Sequence, residues 1–274
     1  MRAVVRRRFL AVCSWAALAS CLGTVDPCSS RMLAAEPAPV DAGAGNDSVP
    51  RPLKRYKGRE IAPTMHYLGA PWLMRDVRER EEECATLLAA LDVKPGQVVC
   101  DMGCGNGFYT LQLAKLVGPK GRVLAVDIQS EMLHMLSERA KEAQLTNIEL
   151  IEGTTIDPKL PEGGVDLILL VDVYHEFSNP EQMLAAMRKS LKPKGRIALA
   201  EFRSEDPQVP IKPEHKMSKR QIRKEFPSNG FRLVEQFDKL PWQHLMFFER
   251  DDTPLPGRAN KASKPPTSPP GSEP

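Results

Sequence analysis

The sequence has no Cys-x-x-Cys pair and no cluster of cysteine with histidine, so the spacing signatures of a zinc site are missing and no metal is expected. Cys13, Cys21 and Cys28 lie near the N-terminus; Cys84, Cys100 and Cys104 remain for the rest, an odd number. Cys104 reads as a small packed residue. Charge of one sign is also missing. The formal +3 arises in residues 1–35, where Arg2, Arg6, Arg7, Arg8 and Arg31 face only Asp26; the remainder sits at −1, which calls for no nucleic acid. No apolar run reaches the about 20 residues of a membrane span. The longest, "FLAVCSWAALASCLG", is short and interrupted, and no internal repeat is visible.

That short run is informative because of what flanks it. Arg6-Arg7-Arg8 precede it, the pattern of an export signal over residues 1–35. Arg6-Arg7-Arg8-Phe9-Leu10 resembles a twin-arginine motif, and Leu18-Ala19-Ser20-Cys21 resembles a bacterial lipobox with Cys21 as the lipidated residue. Cleavage near Ala34-Ala35 is a third option. The expectation is an exported or membrane-anchored protein of the cell envelope; were Met32 the true start, it would be cytoplasmic. Many of the 25 prolines lie in 37–63 and 252–274, giving a flexible linker over 36–55 and a disordered tail over 251–274. The 42% hydrophobic content is enough for a sizeable core between them.

In that core region strand and helix patterns alternate. Strands are expected at 97–102, 122–127, 148–153, 165–172 and 195–202, and helices at 107–117, 129–144 and 180–191. The strands are near-continuous apolar runs, as in a parallel sheet covered on both faces, which predicts a doubly wound α/β fold. Gly118-Pro119-Lys120-Gly121 and Lys192-Pro193-Lys194-Gly195 each close a helix before a strand. A helix at 218–226 and a hairpin over 231–250 follow; the run Lys216, Lys219, Arg220, Arg223 and Lys224 reads as a solvated face. Residues 56–96 form an N-terminal helical extension, helical from Trp72 with charged residues outward; it either packs on the domain or covers a ligand.

The chemistry is carried by "VVCDMGCGNGFYTLQLAKLVG", residues 98–118. A dinucleotide fingerprint needs a third glycine where this chain has Phe108; here the glycines are Gly103, Gly105 and Gly107. Asp101, two residues before the first, would repel a pyrophosphate and attract an ammonium. S-adenosylmethionine (SAM) has that ammonium, so the loop favours SAM over NAD.

"DMGCGNG" resembles motif I of the class I SAM-dependent methyltransferases. "VLAVDIQSEML", "GGVDLILLVDVYHEF" and "LKPKGRIALAEF" resemble their motifs at the ends of strands two, four and five, in order, over residues 84–202. The nearest likeness is the small-molecule type related to quinone-biosynthesis methyltransferases. The resemblance implies a mostly parallel seven-stranded sheet with an antiparallel C-terminal hairpin, a SAM-binding domain over 97–250, and methyl transfer to a small-molecule acceptor. It implies that Asp101 holds the methionine ammonium, Asp127 the ribose hydroxyls and Ile128 the adenine. Where the family commonly has Gly-Asp after strand three, this chain has Gly153-Thr154-Thr155-Ile156-Asp157, so Thr154, Thr155 or Asp157 meets the adenine amino group.

Asp172 ends strand four beside the methionine end of SAM, and Asp172, Tyr174 and His175, with Glu176, are the candidates for a general base. His175 is equally readable as a buried histidine fastening the loop; Glu201 faces the same mouth, while His215 and His244 read as structural or exposed. Two other readings stand beside catalysis: a SAM-binding module without turnover, and an NAD-dependent oxidoreductase, which Phe108 argues against. The sequence names neither the acceptor nor the oligomeric state. Membrane association would come through the N-terminal segment alone.

Overall fold

Apolar runs bounded by glycine turns pair side by side, because only neighbouring strands can satisfy their buried backbone groups. A computed structural model describes residues 50–252; the expected export segment, most of the linker and all but the start of the expected tail lie outside the described residues. In chain order the elements are a small hairpin, β1 (Arg55–Tyr56) and β2 (Arg59–Glu60), a 3-10 turn (Tyr67–Met74), α1 (Arg78–Glu82), α2 (Cys84–Ala90), β3 (Val98–Met102), α3 (Thr110–Val117), β4 (Arg122–Asp127), α4 (Ser130–Glu142), β5 (Ile148–Glu152), β6 (Val165–Val171), α5 (Pro180–Ser190), β7 (Leu191–Phe202), α6 (Lys219–Glu225), β8 (Phe231–Phe237) and β9 (Gln243–Arg250).

Seven strands form one sheet in the order β5-β4-β3-β6-β7-β9-β8. β3 to β7 are mutually parallel, and β9 runs antiparallel between β7 and β8. The expected hairpin therefore closes the sheet with its second strand innermost. Strand order reverses at β3, which pairs with β4 on one side and β6 on the other. Open α/β sheets bind ligands outside the carboxyl ends of the strands at such a point.

Both faces are covered. Leu87 of α2 and Leu113 and Val117 of α3 pack on Val99, Val123 and Leu169. On the other face Leu184 and Met187 of α5, with Ile222 and Phe226, pack on Cys100, Ile168 and Leu199. Helix ends follow local chemistry. Pro180 opens α5, where its missing N–H costs nothing, and the Ser218 hydroxyl accepts from the Gln221 N–H at 3.1 Å to cap α6.

Three expectations are corrected. The extension is not one helix from Trp72: Pro71 lies in the 3-10 turn, Arg75 is extended, and Glu83 takes φ 48 between α1 and α2. The outward-facing charges also fail at Glu82, which is fully buried. It accepts from Arg75 Nη2 at 2.5 Å and Arg78 Nε at 2.9 Å, and burying a carboxylate requires such partners. The Lys192–Gly195 turn is likewise absorbed into β7, where the register against β6 slips between Val165 and Leu167.

Gly107 shows why the third glycine falls where it does. Its φ is +85, and a Cβ there would lie 2.2 Å from Leu136 Cδ1 on α4. Gly107→Ala should cost about 1–3 kcal/mol from overpacking on top of the about 1–2 kcal/mol of a left-handed non-glycine residue. Gly96→Ala, at φ +87 with open space around it, should cost only the second part. Urea unfolding of the two variants compares them, and equal losses would contradict the close packing of loop on helix.

Candidate active site

The carboxyl ends of β3, β4 and β6 open into a cleft of about 700 Å³, within the span of about 300–1,000 Å³ usual for small-molecule sites. One end is lined by the glycine loop and the end of β4, the other by the turn after β6 and by residues 210–215. The N-terminal extension supplies a wall through Met65, Trp72 and Leu73. It is fastened there: Gln129 Nε2 donates to the Met65 carbonyl at 2.9 Å, and its Oε1 accepts from the Tyr67 N–H at 2.8 Å. The extension thus both packs on the domain and borders the cleft.

Asp127 is the organiser of the first end. Its Oδ2 accepts from the Gly105 N–H and its Oδ1 from the Gln129 N–H, both at 2.9 Å. Burial raises its pKa, and those backbone N–H groups, with that of Ile128, work against the rise. Ile128 presents 41% of its surface, unusual for isoleucine, and lines the cleft with Thr154 and Thr155. Gly103 and Gly105 form the adjoining floor.

Three residues expected here stand elsewhere. Gly107 is absent from the cleft lining and packs against Leu136 of α4. Asp157 is exposed and absent from the cleft lining: its Oδ1 accepts from the Lys159 N–H at 2.8 Å, and its carbonyl accepts from the Thr154 N–H at 2.8 Å. It closes the turn that displays the threonines. Asp101 is buried behind the loop. Met102 lines the cleft, so the preceding residue on the pleated strand points the other way. The Thr110 hydroxyl donates to Asp101 Oδ2 at 2.5 Å, tying β3 to the start of α3. Burial, aided by the Asp127 charge, pushes the Asp101 carboxyl up to about 6 against the pull of Thr110 and Arg78.

At the other end Asp172 takes φ 51 and lines the cleft. Gln243 Nε2 donates to its Oδ2 at 2.6 Å, and Oδ1 has no hydrogen-bond partner among the described residues. Burial, with the charges of Glu82 and Glu201, holds this carboxyl well above the usual range although Arg78 and Gln243 oppose it. A buried unpaired oxygen at a cleft wall is a natural ligand contact.

Tyr174 is corrected as a base candidate. Its ring is fully buried in the core, its hydroxyl donates to Glu225 Oε2 at 2.7 Å, and neither residue lines the cleft. His175 does line the cleft and is 2% exposed. Its Nδ1 lies 2.6 Å from Glu201 Oε2, and its Nε2 lies 3.0 Å from His215 Nδ1. Burial disfavours the imidazolium, yet Glu201 and Glu176 outweigh it and hold the His175 pKa above its ordinary value. Burial pushes Glu176 up to about 7, with His175 and the Met65 N–H, which donates at 3.2 Å, pulling it down. Glu201 is fully buried and absent from the cleft lining; it acts through His175 and does not meet a ligand itself. His215 is brought in from a non-periodic stretch, the contribution that sequence pattern gave no sign of.

The Asp101 carboxyl gives a pH dependence with a definite sign. An acid whose folded pKa lies above its unfolded 3.8 holds extra protons when folded, so stability falls as pH rises from about 4 to about 6 and stays lowered above. The full effect is at most about 3 kcal/mol. Asp101→Asn should therefore stabilise the ligand-free protein at about pH 8 and not at about pH 4. Urea unfolding at both values checks this; an equal effect at both would mean the carboxyl is not held in the raised state.

The family described as Methyltransferase domain matches residues 93–246, more than half of the chain. The chain is similar to a SAM-dependent methyltransferase structure from Aquifex aeolicus, with 25% identity and a TM-score of 0.64 over 68% of this chain and 98% of that one. It is 30% identical over 118 residues to the demethylmenaquinone methyltransferase of Listeria welshimeri, covering 43% of this chain and 49% of the relative. An uncharacterised transposon protein of Streptomyces fradiae is 34% identical over 117 residues, 43% of this chain and 33% of its own. The chain thus spans half or less of the length of these curated relatives. Glycine loop, strand-end acids, sheet order and family match agree: the chain belongs to the class I SAM-dependent methyltransferases.

Proposed function

We propose that this chain transfers the methyl group of SAM to a small, largely apolar acceptor bound at the His175 end of the cleft. The observation that carries the reading is that a single cleft joins Asp127 and Ile128 to Asp172, His175 and His215. The adenosine would lie on Ile128 and Thr154 with its ribose on Asp127, and the methionine part would run along the glycine loop toward Asp172. Phe177, Met183, Phe202 and Ile211 give the remaining wall an apolar character. A relative named for demethylmenaquinone, a small molecule, supports this acceptor class.

In the transfer the acceptor atom attacks the methyl carbon in line. The carbon–sulfur bond breaks with its electron pair going to sulfur, and the products are the methylated acceptor and S-adenosylhomocysteine. The protein's contribution is alignment and exclusion of water. A hydroxyl, thiol or amine acceptor must also lose a proton, and the His175 cluster is the place where that proton or its charge is handled.

Asp127→Ala should weaken SAM binding by about 1.5–3 kcal/mol through loss of two charge-assisted hydrogen bonds to the ribose. Calorimetric titration giving unchanged affinity would contradict the assignment. His175→Ala should lower the rate of S-adenosylhomocysteine formation while SAM affinity stays nearly intact. A parallel fall in both would make His175 a cofactor-positioning residue.

Residues 1–35 support a second part of the proposal, that the domain is directed across or onto a membrane, with Cys21 as a lipid anchor. A twin-arginine route carries folded proteins, so the domain would cross with SAM already bound. Mass spectrometry of the mature N-terminus after fractionation checks it. A chain starting near Glu36 or a lipid-modified Cys21 is expected, and a cytoplasmic protein retaining Met1 or starting at Met32 would overturn it.

A further inference from the structure

The cluster at the acceptor end has the composition of a metal site, and its two histidines stand at metal-ligand spacing. His175 Nε2 and His215 Nδ1 stand 3.0 Å apart, and Glu176 Oε1 lies 3.9 Å from His175 Nε2. One donor atom from each of the three residues lies within 4.8 Å of the others. Ligands bonded to a single zinc ion at about 2.0–2.1 Å and set at right to tetrahedral angles are about 3 Å apart. Glu201 supplies what a metal-bound histidine usually has on its far side. Its Oε2 lies 2.6 Å from His175 Nδ1 and its Oε1 accepts from the His175 backbone N–H at 3.2 Å, so it favours the tautomer protonated at Nδ1, which leaves the Nε2 lone pair for a metal.

We propose that His175 Nε2, His215 Nδ1 and a carboxylate oxygen of Glu176 bind one divalent first-row transition ion. Two imidazoles and one carboxylate suit zinc, iron or cobalt, whereas magnesium and calcium take oxygen ligands. Three protein ligands leave a position open, the mark of a working site. All three residues line the cleft, so that position faces the acceptor space. There the ion would hold an oxygen- or sulfur-bearing acceptor and stabilise it after its proton leaves to solvent. This use rests on the methyl-transfer reading; the binding itself does not. Spacing along the chain hid the site, because His215 comes from a separate segment 40 residues beyond His175.

Untagged full-length protein, stripped with a chelator, is titrated calorimetrically with Zn²⁺, and Co²⁺ absorption reports the ligand set. One Zn²⁺ per chain is expected, uncontested by Mg²⁺. His215→Ala and Glu176→Gln should each abolish stoichiometric binding with SAM affinity unchanged, which also shows that they fold. Glu201→Gln, acting through His175, should weaken binding about 10–100-fold. His134→Ala tests the exposed His134–Glu138 pair on α4 and should change nothing. Absence of stoichiometric binding, binding that survives both ligand variants, or binding lost in His134→Ala would overturn the proposal. S-adenosylhomocysteine formation is scored separately. Zinc bound through these residues without turnover keeps the site and removes the transfer reading; turnover in a protein that binds no metal does the reverse.

Discussion

The Asp127 carboxylate joins parts of the chain that would otherwise have no reason to meet. One oxygen holds the Gly105 N–H of the loop after β3, and the other holds the Gln129 N–H at the start of α4. Gln129 in turn clamps the extension through Met65 and Tyr67, and Met65 reaches Glu176 at the opposite end of the cleft. Loop, helix, wall and acceptor cluster are thereby set from one strand end. A carboxylate so placed keeps lone pairs directed at the cleft, so the group that shapes the site is also the one suited to meet two ribose hydroxyls.

A second constraint is electrostatic. Asp101, Asp172 and Glu176 are each pushed upward by burial, and like charges add to the effect. Of these, Asp172 and Glu176 line the cleft and would ionise more easily beside a cation, whereas Asp101 points away from it. SAM carries a sulfonium and an ammonium. Apolar burial holds the domain together, and a cation beside Asp172 or Glu176 would favour their ionised forms.

Much of the fold was legible in the sequence because it follows from local pattern. β4 falls at 122–127 as its apolar run requires, and α4 at Ser130–Glu142 follows its amphipathic period. The strand-end acids Asp127 and Asp172 reach the cleft because topology places parallel carboxyl ends together. What was not legible depends on direction or on distant partners. Strand alternation says that Asp101 and Met102 face opposite ways but not which face opens to the ligand. Tyr174 turns inward because Glu225 accepts from its hydroxyl there and the Arg59 guanidinium lies over its ring. Glu82 is buried because two arginines reach it, and His215 enters from a stretch without periodicity.

The most direct measurement is a crystal structure of the full chain with S-adenosylhomocysteine. The ribose hydroxyls are expected on the Asp127 carboxylate, the adenine against Ile128, and the sulfur turned toward Asp172 and the His175–His215 pair with free space beyond it. A ligand lying with its sulfur away from that pair, or with its ribose on any group other than Asp127, would contradict the assignment of the two ends of the cleft.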